Sequence, residues 1–305
     1  MKRVLSVLLT LVVAVVLYGA VIEPRLLLDG VAFEAEVPGL PPAWEGERVA
    51  LLADFQIGMW GGNEGMARHA VQDAIESEVA AVLFAGDFVY SPDSATVDRA
   101  VGIVRPVREA GIPLVAVFGN HDHSLMDRSS ERGADIAGYL RQRLESIGAT
   151  VLENEAVELR REGGSLWVAG IGSVWVGASD PAAALDAVPD GAPRLVLMHN
   201  PESYREVPAG EGPLALAGHT HGGQIRLPFM GRAQSWLDIV REGETVADGW
   251  ALDSLGAPAN RLYVSRGIGF SGAPIRVNCR PELTIITLHA ADGDMPTRGP
   301  VTPGA

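Results

Sequence analysis

Short apolar runs alternate with amphipathic stretches along most of this 305-residue chain. The runs at 49–53, 79–85, 112–118, 166–171, 194–198, 213–217, 262–265 and 283–288 are too brief for helices and almost continuously apolar, which predicts buried strands. Between the early runs, residues 63–78, 93–110 and 134–147 carry apolar positions at helical spacing, with Asn63 and Asp93 placed as N-caps. Strands joined by crossover helices in this way predict an α/β sheet sandwich.

The N-terminus follows a different pattern. Residues 4–22 form a run of 19 without a charge, preceded by Lys2 and Arg3. Nineteen helical residues rise about 28 Å, close to a ~30 Å hydrocarbon core. A cleaved signal peptide is the competing reading, but bulky Tyr18 spoils a small-x-small site ending at Ala20. The run therefore predicts an uncleaved transmembrane helix. Lys2, Arg3 and the terminal amine outweigh Arg25 beyond the span, which places the rest of the chain outside the cytoplasm. Residues 1–30 are read as this anchor and its flank, and 31–45 as a connector or an edge strand leading away from the membrane. Residues 46–290 are read as a single catalytic domain without internal repeats, and the Gly-, Pro- and Asp-rich 291–305 as a disordered tail.

Composition narrows the function classes. With 47% hydrophobic and 20% charged residues the chain is globular rather than disordered or collagen-like. Its net charge is −14 and Lys2 is the one lysine, so no lysine stripe exists to neutralise a phosphate backbone. Polymeric nucleic acid is not an expected partner. The single cysteine, Cys279, cannot form an internal disulfide and is expected to be a small buried residue.

The chemistry stands immediately after the predicted strands: Asp54-Phe55-Gln56, Gly86-Asp87, Gly119-Asn120-His121-Asp122, His199-Asn200 and Gly218-His219-Thr220-His221. Five of the seven histidines fall in or beside these segments. A single strand-end Asp or Asn often only caps the next helix. Five such ends together describe a site, because in open α/β sheets sites assemble at the carboxyl ends of strands. Carboxylate, amide oxygen and imidazole without thiolate suit divalent ions such as Mn²⁺, Fe²⁺ or Zn²⁺. The donors are too many for one ion and fit a pair sharing a carboxylate. Glycines beside Asp87, Asn120 and His219 allow backbone to approach where side chains crowd.

In this order the segments resemble the calcineurin-like metallophosphoesterase family, over about residues 48–288. The continuation through Gly222-Gly223-Gln224, 263–269 and Pro281-Glu282-Leu283 resembles a membrane-associated bacterial branch of it. The resemblance implies a four-layer α/β/β/α sandwich of two mixed sheets behind one N-terminal transmembrane helix. It implies a phosphodiesterase or pyrophosphatase whose two divalent ions, manganese ahead of iron or zinc, activate a bridging hydroxide. Asp54, Gln56 and His221 would hold one ion, Asn120, His199 and His219 the other, with Asp87 bridging. His121 would face the substrate as a catalytic residue, with Asp122 holding its ring. Together with the uncharged run and its Lys2/Arg3 flank, the membrane-associated resemblance leads to the expectation of a single-pass inner-membrane protein with an extracytoplasmic domain. Gln56 departs from the pattern, since most members carry histidine there, and an amide oxygen predicts a weaker first site.

The remaining candidates are less specific. His123 is read as a surface or supporting histidine, and His69 and His289 as structural. Arg232, Arg266 and Arg276 could clamp a phosphate, although loop arginines are more often solvated. The segment 233–255, with Trp236 and Trp250, could touch lipid or pack over the sheet. Two readings from different classes follow: a membrane-anchored phosphoesterase acting on a phosphorylated small molecule, a lipid-linked or UDP-sugar-lipid substrate among them, or a non-catalytic envelope protein that binds a phosphorylated ligand or partner.

Overall fold

The computed structural model describes residues 2–90, 93–133, 136–226, 247–252 and 255–291. Two six-stranded sheets lie face to face. The first runs β1 (Asp29–Val37), β12 (Glu282–Ala290), β2 (Arg48–Leu52), β3 (Ala81–Ala85), β4 (Leu114–Val117) and β5 (Thr150–Leu152). The second runs β10 (Gly249–Trp250), β11 (Leu262–Val264), β9 (Ala215–Ala217), β8 (Arg194–Leu197), β7 (Gly164–Gly170) and β6 (Glu155–Arg161). Strands β2 to β5 are mutually parallel, as are β7, β8, β9 and β11, whereas β12, β6 and β10 pair antiparallel with their inner neighbours. Both sheets are thus mixed.

Alternation along the strands builds the layers. Val49 and Leu51 point inward with Leu83 and Val115 against Leu166, Leu195 and Leu216 of the second sheet. Ala50, Leu52, Val82 and Phe84 point outward under α3 (Glu64–Glu76), α4 (Ser94–Glu109) and α5 (Ala137–Ser146). On the far side Ala169, Val196 and Ala217 are covered by Ala184 and Leu185 of α6 (Pro181–Asp186) and by Tyr204. Three cores between four layers form the α/β/β/α sandwich.

The eight apolar runs all contain strands, and Asp93 caps α4 by accepting from Thr96 N. Asn63 stands before α3 but does not cap it, because its amide donates instead to Ile268 O at 2.8 Å. β6 escapes an apolar-run search because its exposed edge alternates charge with apolar residues. β1 takes up the edge-strand alternative: it pairs parallel with β12 across its whole length, from Asp29 opposite Glu282 to Val37 opposite Ala290.

Ahead of β1, helical backbone continues through α1 (Lys2–Leu17), a π-helical turn (Tyr18–Ile22) and α2 (Glu23–Leu26). This stretch is long and apolar enough to cross a membrane. No residue of α1 is buried, whereas Gly19, Glu23 and Pro24 are. Its far end is therefore docked on the domain. Gly19 O accepts from Arg276 N at 2.8 Å, and the Glu23 carboxylate accepts from the backbone of both Asn278 and Cys279.

Candidate metal centre

The parallel strands bring their carboxyl ends to one edge of the sandwich. Asp54 and Gln56 follow β2, Asp87 follows β3, and Asn120 and His121 follow β4. His199 follows β8, and His219 and His221 follow β9. All are buried or nearly so. Ligand-type atoms of Asp54, Asp87 and His221 come within 4.8 Å of one another.

Each donor is aimed by its other contacts. His199 Nδ1 lies 2.7 Å from Ala85 O, an acceptor only, which leaves Nε2 to face Asp87 Oδ2 at 3.3 Å and His219 Nδ1 at 3.2 Å. Asn120 Nδ2 donates to Leu125 O at 2.8 Å, so its Oδ1 turns the other way, buried and without a partner. Asp87 Oδ1 accepts from His121 N at 3.0 Å, and Oδ2 is left for the centre. His221 Nε2 is 3.6 Å from Asp54 Oδ1 and 3.4 Å from the Gln56 amide, which is itself 2.7 Å from Asp87 Oδ2. The Gln56 Oε1 is buried and unpartnered. Turning that amide by 180° places the oxygen toward the same atoms, the arrangement an oxygen ligand needs. Two orphaned amide oxygens among converging imidazoles and carboxylates, with no sulfur, fit divalent ions of the borderline-to-hard class.

The backbone is bent to present these groups. Asp54, Gln56, Asp87, His219 and His221 all have φ between 51° and 77°. Such left-handed residues cost on the order of 1 kcal/mol or more each and persist where surrounding structure enforces them. The glycines supply the room. A Cβ on Gly119 would lie 2.0 Å from Asp87 Oδ1, and one on Gly218 2.7 Å from Asp54 Oδ2.

Asp122 does not hold the His121 ring. Its carboxylate accepts from Asp87 N at 2.8 Å, Gly119 N at 2.9 Å and Val89 N at 3.2 Å. It thereby ties the Asp87 loop to the β4 loop, using donors that the left-handed turn leaves free. The His121 ring instead stacks on Tyr90, with centroids 4.9 Å apart, and its Nε2 lies 4.0 Å from Asp87 Oδ2. Trp175 meets the His219 ring edge-on at 4.3 Å. Tyr90 and Trp175 belong to none of the motifs, and nothing in the sequence marks them.

His123 is buried rather than on the surface, its Nε2 3.4 Å from Glu153 Oε1. Arg266 is occupied by Glu282 at 2.6 Å and Asp29 at 2.7 Å. Arg276 is wholly buried and donates to the carbonyls of Gly269, His221, Cys279, Arg266 and Gly267. Neither guanidinium can clamp a phosphate, because buried arginines are satisfied where they stand. Arg232 and most of 233–255 lie outside the described residues, while Trp250, within edge strand β10, packs against Phe33 and Tyr263 beside the core between the sheets. Cys279 is buried, as expected.

Burial dominates the electrostatics. It pushes the Asp54 carboxyl up to about 7, with neighbouring Asp87 adding to the rise against the pull of His199. Burial would also raise Asp87, but the His199 and His121 rings hold it well below the carboxylate range. Burial works against a charged His199, yet the adjacent Asp87 carries this ring up to about 9. His221 falls to about 3 through burial and the Arg276 charge, and His219 falls through burial and His199.

These shifts predict proton release on metal uptake. An unfolded histidine titrates near ~6.5. The raised His199 therefore stabilises the metal-free fold fully below that pH and loses this contribution as pH rises through about 9. An ion at His199 Nε2 must displace the proton. Mn²⁺ titrations at pH 7 to 8 in buffers of different ionisation enthalpy should show proton release, with apparent affinity rising toward pH 9. Uptake without protons would mean that His199 is not a ligand.

Comparison with known proteins agrees with this architecture. A model of the calcineurin-like phosphoesterase family matches residues 47–223. Phosphodiesterase YaeI of Escherichia coli is 33% identical over 72% of this chain and 74% of its own length. The metallophosphoesterase YkuE of Bacillus subtilis is 24% identical over 90% of each chain. A transmembrane protein with a metallophosphoesterase domain from Danio rerio is 27% identical over 95% of this chain and 63% of its own.

Proposed function

The chain belongs to the calcineurin-like phosphoesterase family and is a hydrolase of phosphoric esters, and from that premise we propose a two-ion phosphodiesterase or pyrophosphatase. In this reading Asp54, Gln56 and His221 hold the first ion, Asn120, His199 and His219 the second, and Asp87 bridges. Residues 46–290 are the catalytic domain and 1–30 its anchor. The observation that carries the proposal is the convergence of donors from both sheets, above all the buried, unpartnered Asn120 Oδ1 fixed by the Leu125 carbonyl.

Two divalent ions, when bound, supply Lewis-acid polarisation of the phosphoryl oxygen and make water nucleophilic near neutral pH. The chain's own residues do the rest. Asp122 fixes the loops that carry Asp87 and Asn120. Asp87 lends one oxygen to the His121 backbone and keeps the other for the centre. Burial lowers the His121 pKa, so the ring is neutral at pH 7 and suited to donate an N–H to charge developing on the phosphoryl group.

Purified protein reconstituted with Mn²⁺ should hydrolyse an aryl phosphodiester in a metal-dependent way. Binding of a phosphorylated ligand without hydrolysis under any divalent ion would favour the non-catalytic reading. Manganese is proposed for the first ion because the Gln56 amide oxygen is a harder and weaker donor than imidazole. Gln56→Ala should raise the Mn²⁺ concentration needed for half-maximal activity. Superimposable titrations would remove Gln56 from the ligand set.

The natural substrate proposed is a lipid-linked phosphoester or diphosphate, supported by Arg276, whose backbone N–H donates to Gly19 O of the helix and whose guanidinium donates to His221 O. The Lys2 and Arg3 flank places the domain outside the inner membrane in this reading. Protease added to spheroplasts should digest it. Protection until lysis would reverse the topology.

A further inference from the structure

We propose that loops 58–62 and 271–275 form a bilayer-seated face, continuous with the membrane helix, that holds the candidate metal centre at headgroup level. The proposal rests on reading α1 as membrane-embedded. Its first ground is depth. Gly19 is the sixteenth residue of the uncharged run that starts at Val4, about 23 Å along a helix that must cross a ~30 Å core. At that depth the domain already touches the helix. Arg276 N donates to Gly19 O, and a Cβ on Gly19 would fall 2.4 Å from Val277 Cγ2. The part of the helix free of the domain, Lys2–Leu17, spans only about 24 Å, so the bilayer has to meet the domain around residue 19.

The second ground is the chemistry of what lies there. Gly58-Met59-Trp60-Gly61-Gly62 and Ser271-Gly272-Ala273-Pro274-Ile275 carry no charge in a chain of net charge −14. The two loops touch where a Cβ on Gly61 would lie 2.8 Å from Pro274 Cβ, and Arg25 at the helix end donates to Gly61 O at 2.6 Å. Beside that hydrogen bond Trp60 is 65% exposed and Leu26 67% exposed. Outside the N-terminal helix, Trp60, Met126 and Leu252 are the exposed large apolar side chains among the described residues. An exposed tryptophan next to an arginine at the end of a membrane helix is the usual furniture of the membrane–water interface, where neither water nor hydrocarbon suits the indole alone.

The face is tied to the centre by the chain on one side and by one arginine side chain on the other. Loop 58–62 begins two residues after Gln56, and loop 271–275 leads into Arg276, whose guanidinium donates to His221 O at 3.3 Å. A phosphoester on an amphiphile in the same bilayer would thus stand at the height of the centre.

The test uses the full chain in phosphatidylcholine vesicles, with and without lipid brominated near the headgroup end of one acyl chain. Flotation with vesicles reports the anchor. Comparison of wild type with Trp60→Phe isolates one of six tryptophans. Brominated lipid should quench a larger share of emission in wild type than in Trp60→Phe, and aqueous iodide should not reach the missing component. A floating protein whose two forms are quenched equally, or whose Trp60 emission is removed by iodide, overturns the proposal alone. A chain that does not float overturns it together with the membrane reading of α1, while metal-dependent hydrolysis of a soluble aryl phosphodiester is unaffected by either result.

Discussion

Asp87→Asn should abolish metal-dependent hydrolysis, by at least about 10³-fold, and leave the protein with less than its full complement of ions. The substitution keeps the shape and the hydrogen bond that Oδ1 accepts from His121 N, so the fold should survive. What it removes is the negative charge at Oδ2, the atom faced by His199 at 3.3 Å and by the Gln56 amide at 2.7 Å. A bridging carboxylate offsets the repulsion between two cations ~3.5–4 Å apart, and a neutral amide cannot. Losing several kcal/mol of such stabilisation is ample for a thousandfold effect, since each ~1.4 kcal/mol is tenfold. A second consequence separates the centre from simple misfolding. Asp87 is what carries His199 up to about 9, so in Asp87→Asn that ring should titrate lower, visible in its imidazole NMR resonances. Full activity with two ions retained would mean that the bridge lies elsewhere.

The sequence made the sandwich legible because its inner strands are short, continuous and apolar, and because their ends carry unusual residues in a fixed order. Strand β6 and the full extent of β1 were hidden for the opposite reason. Edge strands have one solvated side, and Glu155–Arg161 alternates charges that read as surface. The proposed donors are legible as residue type and order, but their orientation is not. No pattern announces that Asp54, Gln56, Asp87, His219 and His221 sit in left-handed backbone. Asp122 is a related case. The family resemblance implies that it holds the His121 ring, whereas the carboxylate is used where three backbone donors converge after the turn. Arg276 shows the same limit. A loop arginine is solvated by default, and only the closure of five carbonyls around it, brought from residues 221 to 279, turns it into an internal strut.

His121→Ala should retain both ions yet lose roughly 10²–10⁴-fold in turnover. The ring is beside the centre without an obvious duty as a ligand: Nε2 is 4.0 Å from Asp87 Oδ2, and the ring hydrogen-bonds the Tyr90 backbone. Burial, with His199 nearby and against the pull of Asp87, lowers its pKa, which favours the neutral ring at pH 7. A neutral imidazole stabilises charge by donating an N–H, whereas protonation of a leaving oxygen requires the charged ring. The two roles separate in three ways. For a neutral donor, kcat should fall as pH drops through the lowered His121 value and stay level above it, whereas a general acid gives the opposite slope. His121→Asn keeps an N–H but cannot transfer a proton, so it should recover part of the loss under charge stabilisation and none under general acid catalysis. Aryl leaving groups of low pKa need no protonation, so they should escape the penalty only if His121 is the acid. The structure favours the first outcome in each comparison, with partial rescue by His121→Asn and a penalty indifferent to the leaving group. Metal analysis showing loss of an ion in His121→Ala, with activity falling in proportion, would instead make the ring a ligand.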